Sequence, residues 1–392
     1  NGCTGTASIQ IVVNPLPVIT VNPFNPEICV GENSTLTVTS DIAGSTYNWS
    51  NGANTASTTV SPVTTTTYNV TVTSPEGCVT TGAVTVIVNP LPVITVTTSD
   101  ANICVGESPT LNATSDIAGS TFTWSNGGNT ASIIVSPITT TTYNVTVTSP
   151  EGCVTTGAVT VIVFPNPVLT VTASDNAICF GDPTTISVSS NLPSTSYLWS
   201  DGATTTSITV SPATTTTYVV TGIAANGCTG TASIQIVVNP LPVITVAASD
   251  ANICVGESST LTATSDIAGS TYNWSNGGNT ASITVSPITT TTYNVTVTSP
   301  EGCVTTGAVT VTVFPNPVLT VAASDNAICF SDPTTISVSS NLPATSYLWS
   351  TGATTATITE SPASTTTYIV TGTAANGCTG TASIQIVVNP LP

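Results

Sequence analysis

One phrase returns at a fixed interval along the whole chain. NPLPVIT begins at Asn14, Asn89 and Asn239, FPNPVLT at Phe164 and Phe314, and NPLP at Asn389, so each start lies 75 residues or a multiple of 75 from the others. Trp49, Trp124, Trp199, Trp274 and Trp349 keep the same beat, as do Tyr68, Tyr143, Tyr218, Tyr293 and Tyr368. A fixed period means stacked copies of one unit. At 75 residues the unit is too long for one coil of a solenoid and about right for a small domain. Whatever the chain does, it is expected to do it with one fold used five times.

The Pro-rich phrase sets the boundaries: repeats at 14–88, 89–163, 164–238, 239–313 and 314–388, with 389–392 as the start of a next linker. Repeats 1, 2 and 4 carry CVGE and SPEGC; repeats 3 and 5 carry CFGDP or CFSDP with AANGC. The chain opens and closes on the same seventeen letters, NGCTGTASIQIVVNPLP, as expected of a window cut from a longer array. Residues 1–13 then read as the last strand of a preceding repeat.

Composition removes whole classes of function. The chain holds no Lys, Arg, His or Met, its formal net charge is −18, and only 5% of its residues are charged. Binding to nucleic-acid phosphates or to an anionic membrane lacks its electrostatic term. No apolar run reaches the length of a spanning helix, so direct membrane insertion is not expected. Catalysis is disfavoured because the usual bases, His and Lys, are missing. The 40% apolar content, arranged in sharp alternation, argues against disorder.

Repeat 2 shows the alternation. PVITVTTSD opens a strand, CVGES is a turn, and PTLNATSD sets Leu111 and Ala113 against Thr110, Asn112 and Thr114. TFTWS puts Phe122 and Trp124 on one side, and ASIIVSP points Ile133 and Val135 the same way. TTYNVTVTS turns Tyr143, Val145 and Val147 inward, and GAVTVIV does so with Val159, Val161 and Val163. Six or seven short strands separated by turn residues predict an all-β fold, a tandem array of immunoglobulin-like β-sandwich domains forming a rod. The recurrent Trp and Tyr are expected in the cores, with Tyr143 placed like a tyrosine corner. The two prolines in each linker of about four residues restrict φ, so the connections should be short and stiff.

CVGES, YNWSNG, SPITTTTYNVTV and EGC resemble the immunoglobulin-like and PKD-like repeats of giant surface proteins of Bacteroidota, including gliding and adhesion proteins exported by the type IX pathway. The resemblance covers all five repeats. It implies a secreted, cell-surface stalk or filament whose adhesive tip lies elsewhere.

Eleven cysteines follow the period: Cys3, then Cys29 and Cys78, Cys104 and Cys153, Cys179 and Cys228, Cys254 and Cys303, Cys329 and Cys378. Two per repeat, without His or CxxC spacing, point to disulfides and an oxidising compartment. Two pairings are open. One joins the cysteines within a repeat. The other joins neighbours, Cys29 to Cys153, Cys104 to Cys228, Cys179 to Cys303 and Cys254 to Cys378, leaving Cys3, Cys78 and Cys329 with partners outside the window. An immunoglobulin-like strand order favours the second. It sets the two cysteines of one repeat at opposite poles, separated by about 25 Å or more at ~3.3 Å per residue, whereas a disulfide needs Cα atoms within about 7 Å.

The carboxylates recur at turns, among them Asp100, Glu107, Asp116 and Glu151. Asp100 and Glu107 are the best calcium candidates, but no clustered DxDxDG run is present, so no cofactor is expected. The sequons at Asn112 and Asn144 are expected to face outward. Glu360 breaks the pattern, standing where Val60, Val135, Val210 and Val285 are expected inward. The sequence thus leads to a non-enzymatic extracellular structural array. Its partners would be neighbouring repeats, with lateral self-association or surface glycans as further partners. The rival is a set of adhesive repeats that bind a glycan or protein themselves.

Overall fold

The computed structural model describes residues 2–390; Asn1 and the last two residues of the expected closing linker lie outside that range. Repeat 1 contains seven strands: β1 (Ile19–Pro23), β2 (Glu27–Cys29), β3 (Ser34–Ser40), β4 (Thr46–Trp49), β5 (Ser57–Val60), β6 (Thr66–Thr73) and β7 (Val79–Asn89). They form two sheets, of order β1-β3-β5 and β2-β7-β6-β4, and the same three-on-four arrangement recurs in every repeat. No helix occurs among the described residues. Two facing sheets in this order, antiparallel except for the short parallel β2–β7 pairing, are an immunoglobulin-like sandwich, and the chain is a tandem array of them.

Alternation builds each core. In β3, Leu36 and Val38 face inward and are fully buried or nearly so, while Thr37 and Thr39 are exposed. Val70 and Val72 of β6 and Val84 and Val86 of β7 meet them from the other sheet, with Trp49 between. The position where many such sandwiches carry a disulfide is filled here by aliphatic packing. Repeats 2 and 4 repeat this cluster around Leu111 and Leu261.

The tryptophans are held at both ends. Each indole is 2% exposed, and its N–H donates to the carbonyl six residues on, from Trp49 to Thr55 at 3.0 Å and likewise in the other four repeats. Burying the large ring is favourable only because its one polar atom finds an acceptor. The tight turn after Trp49 needs Gly52 at φ 87°, a left-handed conformation natural to glycine. Tyr143, Tyr218, Tyr293 and Tyr368 are buried and Tyr68 is half-buried. Tyr143 packs in the repeat 2 core with Val145, Val147 and Trp124.

One strand had no expectation in the sequence. After β1 the chain breaks and crosses to the other sheet, where β2 runs parallel to the end of β7, with Ile28 opposite Val88 and Cys29 opposite Asn89. Ile28, 3% exposed, is the anchor that makes three residues suffice. This switch puts Cys29 beside Asn89, the first residue of the next repeat.

The chain divides into two compact units, and the division passes through repeat 3. One comprises residues 1–169, 190–197 and 221–231, the other 170–189, 198–220 and 232–392.

Candidate functional site at the junctions

The chemistry of this molecule is concentrated where one repeat gives way to the next. Cys29 closes β2 in register with Asn89, the last residue of β7. Cys78 immediately precedes β7, at its other end. The eleven residues of β7 separate the two by about 35 Å at ~3.3 Å per residue. A bond within the repeat therefore cannot close.

Bonds form between neighbours. Cys29 is joined to Cys153, Cys104 to Cys228, Cys179 to Cys303 and Cys254 to Cys378, each across 124 residues, with Cα atoms 5.5 to 5.6 Å apart. Each bond lies inside one compact unit. Cys3, Cys78 and Cys329 are free.

Three pieces of chain converge at each bond. At the first, the Asn89 carbonyl accepts from the backbone N–H of Val30 at 3.1 Å, and the Cys153 sulfur lies 3.9 Å from the same oxygen. Cys153 is presented by the turn SPEGC. There Gly152 donates to the Ser149 carbonyl at 2.9 Å, and the Ser149 hydroxyl accepts from the Cys153 N–H at 3.2 Å. Cys228, Cys303 and Cys378 repeat the contact with Phe164, Asn239 and Phe314. Free Cys78 makes it too, its sulfur 3.7 Å from the Asn14 carbonyl oxygen.

The linkers are fixed by residues that sequence reasoning treated as ordinary turn residues. Asp116 accepts from the Val93 N–H at 2.8 Å through its carboxylate and donates its own N–H to the Val93 carbonyl at 3.1 Å. Asp41, Asn191, Asp266 and Asn341 grip Val18, Val168, Val243 and Val318 in the same way. The signal was an Asp or Asn 23 residues after the linker valine in every repeat. In linkers of the FPNP type, Asn166 also donates to the Val105 carbonyl of the preceding repeat at 3.0 Å, and Asn316 does so to Val255.

The calcium candidates are committed to local backbone. Glu107 accepts from the Cys104 N–H at 2.7 Å and Asp100 from the Asn102 N–H at 2.9 Å. Among the described residues no three His, Cys, Asp or Glu side chains gather as a metal-holding group. The sequon residues Asn112 and Asn144 are exposed. A groove of roughly 380 Å³ beside the repeat 3 to repeat 4 linker is mainly apolar, with Phe180, Val238, Pro240 and Leu241 in its wall and no titratable group.

Glu360 has an answer in the flavour of its repeat. In repeats 1, 2 and 4 the end of the fifth strand is buried, with Val60, Val135 and Val285 at 5% exposure. In repeats 3 and 5 the burial moves two residues back, to Ile208 and Ile358, and both Val210 and Glu360 are half-buried. The carboxylate occupies a place already open to water. Burial raises the pKa of Tyr368 above the ordinary phenol value, and the Glu360 charge raises it further. Tyr218 is raised by burial and then by Asp201.

No protein-family model matches the chain, and no curated protein matches it. Among solved structures, the N-terminal eight Ig domains of Down Syndrome Cell Adhesion Molecule are similar at 12% identity and a TM-score of 0.38, over 95% of this chain and 60% of that one. The present chain thus spans about three-fifths of that structure's length. A three-Ig segment of titin is similar at 13% identity and a TM-score of 0.34, over 57% of this chain and 98% of that one. Ig domains 1–5 of Sidekick-1 give 12%, 0.22, 96% and 99% in the same order. These are distant likenesses, and the fold assignment above rests on strand order.

Proposed function

We propose that the chain is a load-bearing spacer in a secreted surface protein, a stalk segment whose task is mechanical. The observation that carries this reading is the covalent bond across each of four successive junctions, in place of a bond within each sandwich. A bond inside a domain stabilises that domain. A bond between domains resists their separation and hinge motion, which matters to a molecule under tension. Four disulfides in one chain fit an oxidising, extracellular location. The motifs CVGES and SPITTTTYNVTV support the narrower reading of a type IX-exported adhesion or gliding protein of Bacteroidota, with neighbouring repeats of the same chain as its main partners.

The spacer reading predicts inertness. The purified chain, immobilised and presented with glycan arrays and intact cells, should retain neither. Saturable retention of a glycan or protein with a dissociation constant below about 1 mM, a free energy near −4 kcal/mol, would overturn it in favour of repeats that are themselves adhesive.

A further inference from the structure

The four bonds do more than clasp pairs of neighbours, because their loops overlap. The first closes residues 29–153, the second 104–228, the third 179–303 and the fourth 254–378. Each loop begins before the previous one ends. Every peptide bond from Cys29 to Cys378 is therefore spanned by at least one disulfide, and those of 104–153, 179–228 and 254–303 are spanned by two. Bonds confined to single repeats would have left all four linkers unspanned.

We propose that this overlap makes the array a covalent ladder: one backbone cut anywhere between Cys29 and Cys378 leaves the molecule in a single piece, and the loops cap its extension even when every sandwich is unfolded. The cap follows from the shortest covalent route. It runs from Cys29 across to Cys153, back along the chain to Cys104, across to Cys228, back to Cys179, across to Cys303, back to Cys254 and across to Cys378. At ~3.4 Å per extended residue that route measures about 500 Å, against about 1,200 Å for the reduced chain between the same two cysteines. The linkers, exposed at Val93 and Val243, are the natural targets of proteases, and the ladder makes a cut there harmless to continuity. The inference depends on the pairing alone and stands or falls independently of the spacer reading.

The composition supplies a clean test. A chain with no Lys or Arg has no trypsin site, so one introduced arginine creates a unique one. Val93→Arg places it in the first linker between complete repeats, at a side chain 69% exposed. Ile138→Arg places it in a turn inside repeat 2, and Val18→Arg places it upstream of every loop. Each oxidised variant, its free thiols blocked, is digested in urea so that cleavage does not depend on folded-state access, and run with and without reductant. The expected result for Val93→Arg is one full-length band without reductant and two products, 1–93 and 94–392, with it. Ile138→Arg should behave likewise, and Val18→Arg should lose residues 1–18 in both lanes. Release from Val93→Arg alone without reductant would mean bonds within repeats, and release from both Val93→Arg and Ile138→Arg would mean no bonds; either overturns the ladder.

Discussion

The sequence NGCTGTASIQIVVNPLP occupies both ends of the chain and has a different structure at each. In the second copy, Thr379–Asn389 is a strand, paired antiparallel with Thr366–Ala374 and parallel with Ala327–Cys329. In the first, no strand occurs before Ile19. Ile386 is 0% exposed and its counterpart Ile11 is 80% exposed; Cys378 is bonded while Cys3 is exposed and free. A third copy, at 226–242, again forms a strand, Thr229–Asn239. These letters form a strand where two neighbouring strands offer hydrogen bonds and an apolar face. Alternation is permission to form a strand; pairing is what makes one.

Hydrogen exchange should show the contrast at its largest. In this 392-residue chain, backbone amides of residues 4–13 are expected to exchange at nearly the unfolded rate, and the amides of 379–388 that bond to the neighbouring strands to be slowed by a factor on the order of 10³ or more, as for core strands. Comparable protection at the two ends would break the comparison.

Glycine substitution sharpens it further. A Cβ added at Gly380 would lie 1.9 Å from the Pro317 carbonyl oxygen, whereas one added at the equivalent Gly5 would meet nothing within 4 Å. Rigid backbone cannot yield as a side-chain tip can. Gly380→Ala is expected to cost repeat 5 about 3 kcal/mol or more, at the upper end of overpacking penalties, while Gly5→Ala changes stability by less than about 0.5 kcal/mol. Peptide-resolved opening free energies would measure both, and a tolerated Gly380→Ala would show that the approach of linker to strand is loose.

The smallest effect concerns Tyr368, in register with Ile384 of the paired copy. Its raised pKa means that the folded state holds the phenolic proton more tightly than the unfolded chain does. That contribution to stability is fully present below the ordinary phenol value near 10 and is lost as pH rises through the folded value. Glu360→Val should lower the Tyr368 pKa while leaving it above the ordinary value, because burial is the larger cause. It should also stabilise repeat 5 by less than about 1 kcal/mol. Ultraviolet titration of the phenol and alkaline unfolding curves would check each part; an unchanged titration would separate Glu360 from Tyr368.

Much of this was legible in the letters because repetition amplifies weak signals. One alternating stretch is ambiguous, but five copies in phase fix which side faces inward, and Trp124, Leu111 and Val145 lie where the alternation puts them. Other features were not legible. The three-residue strand ending at Cys29 is too short to show a period. The grip of Asp116 on Val93 looks like any turn residue until the 23-residue spacing closes in space. The shift of burial from Val60 to Ile208 and Ile358 depends on how the whole repeat packs, so Glu360 was puzzling in sequence and ordinary in structure.

The amino-acid sequence alone determined the number of repeats, the sandwich cores and the absence of any cation. These follow from composition and from the alternation of side chains along a strand, which are local properties. Only the tertiary structure decided the register that seats Cys29 beside Asn89, the convergence of Cys153 on the same carbonyl, and which copies of a repeated phrase become strands. Those depend on contacts between residues far apart in the chain, and no local sequence can specify a partner it does not contain.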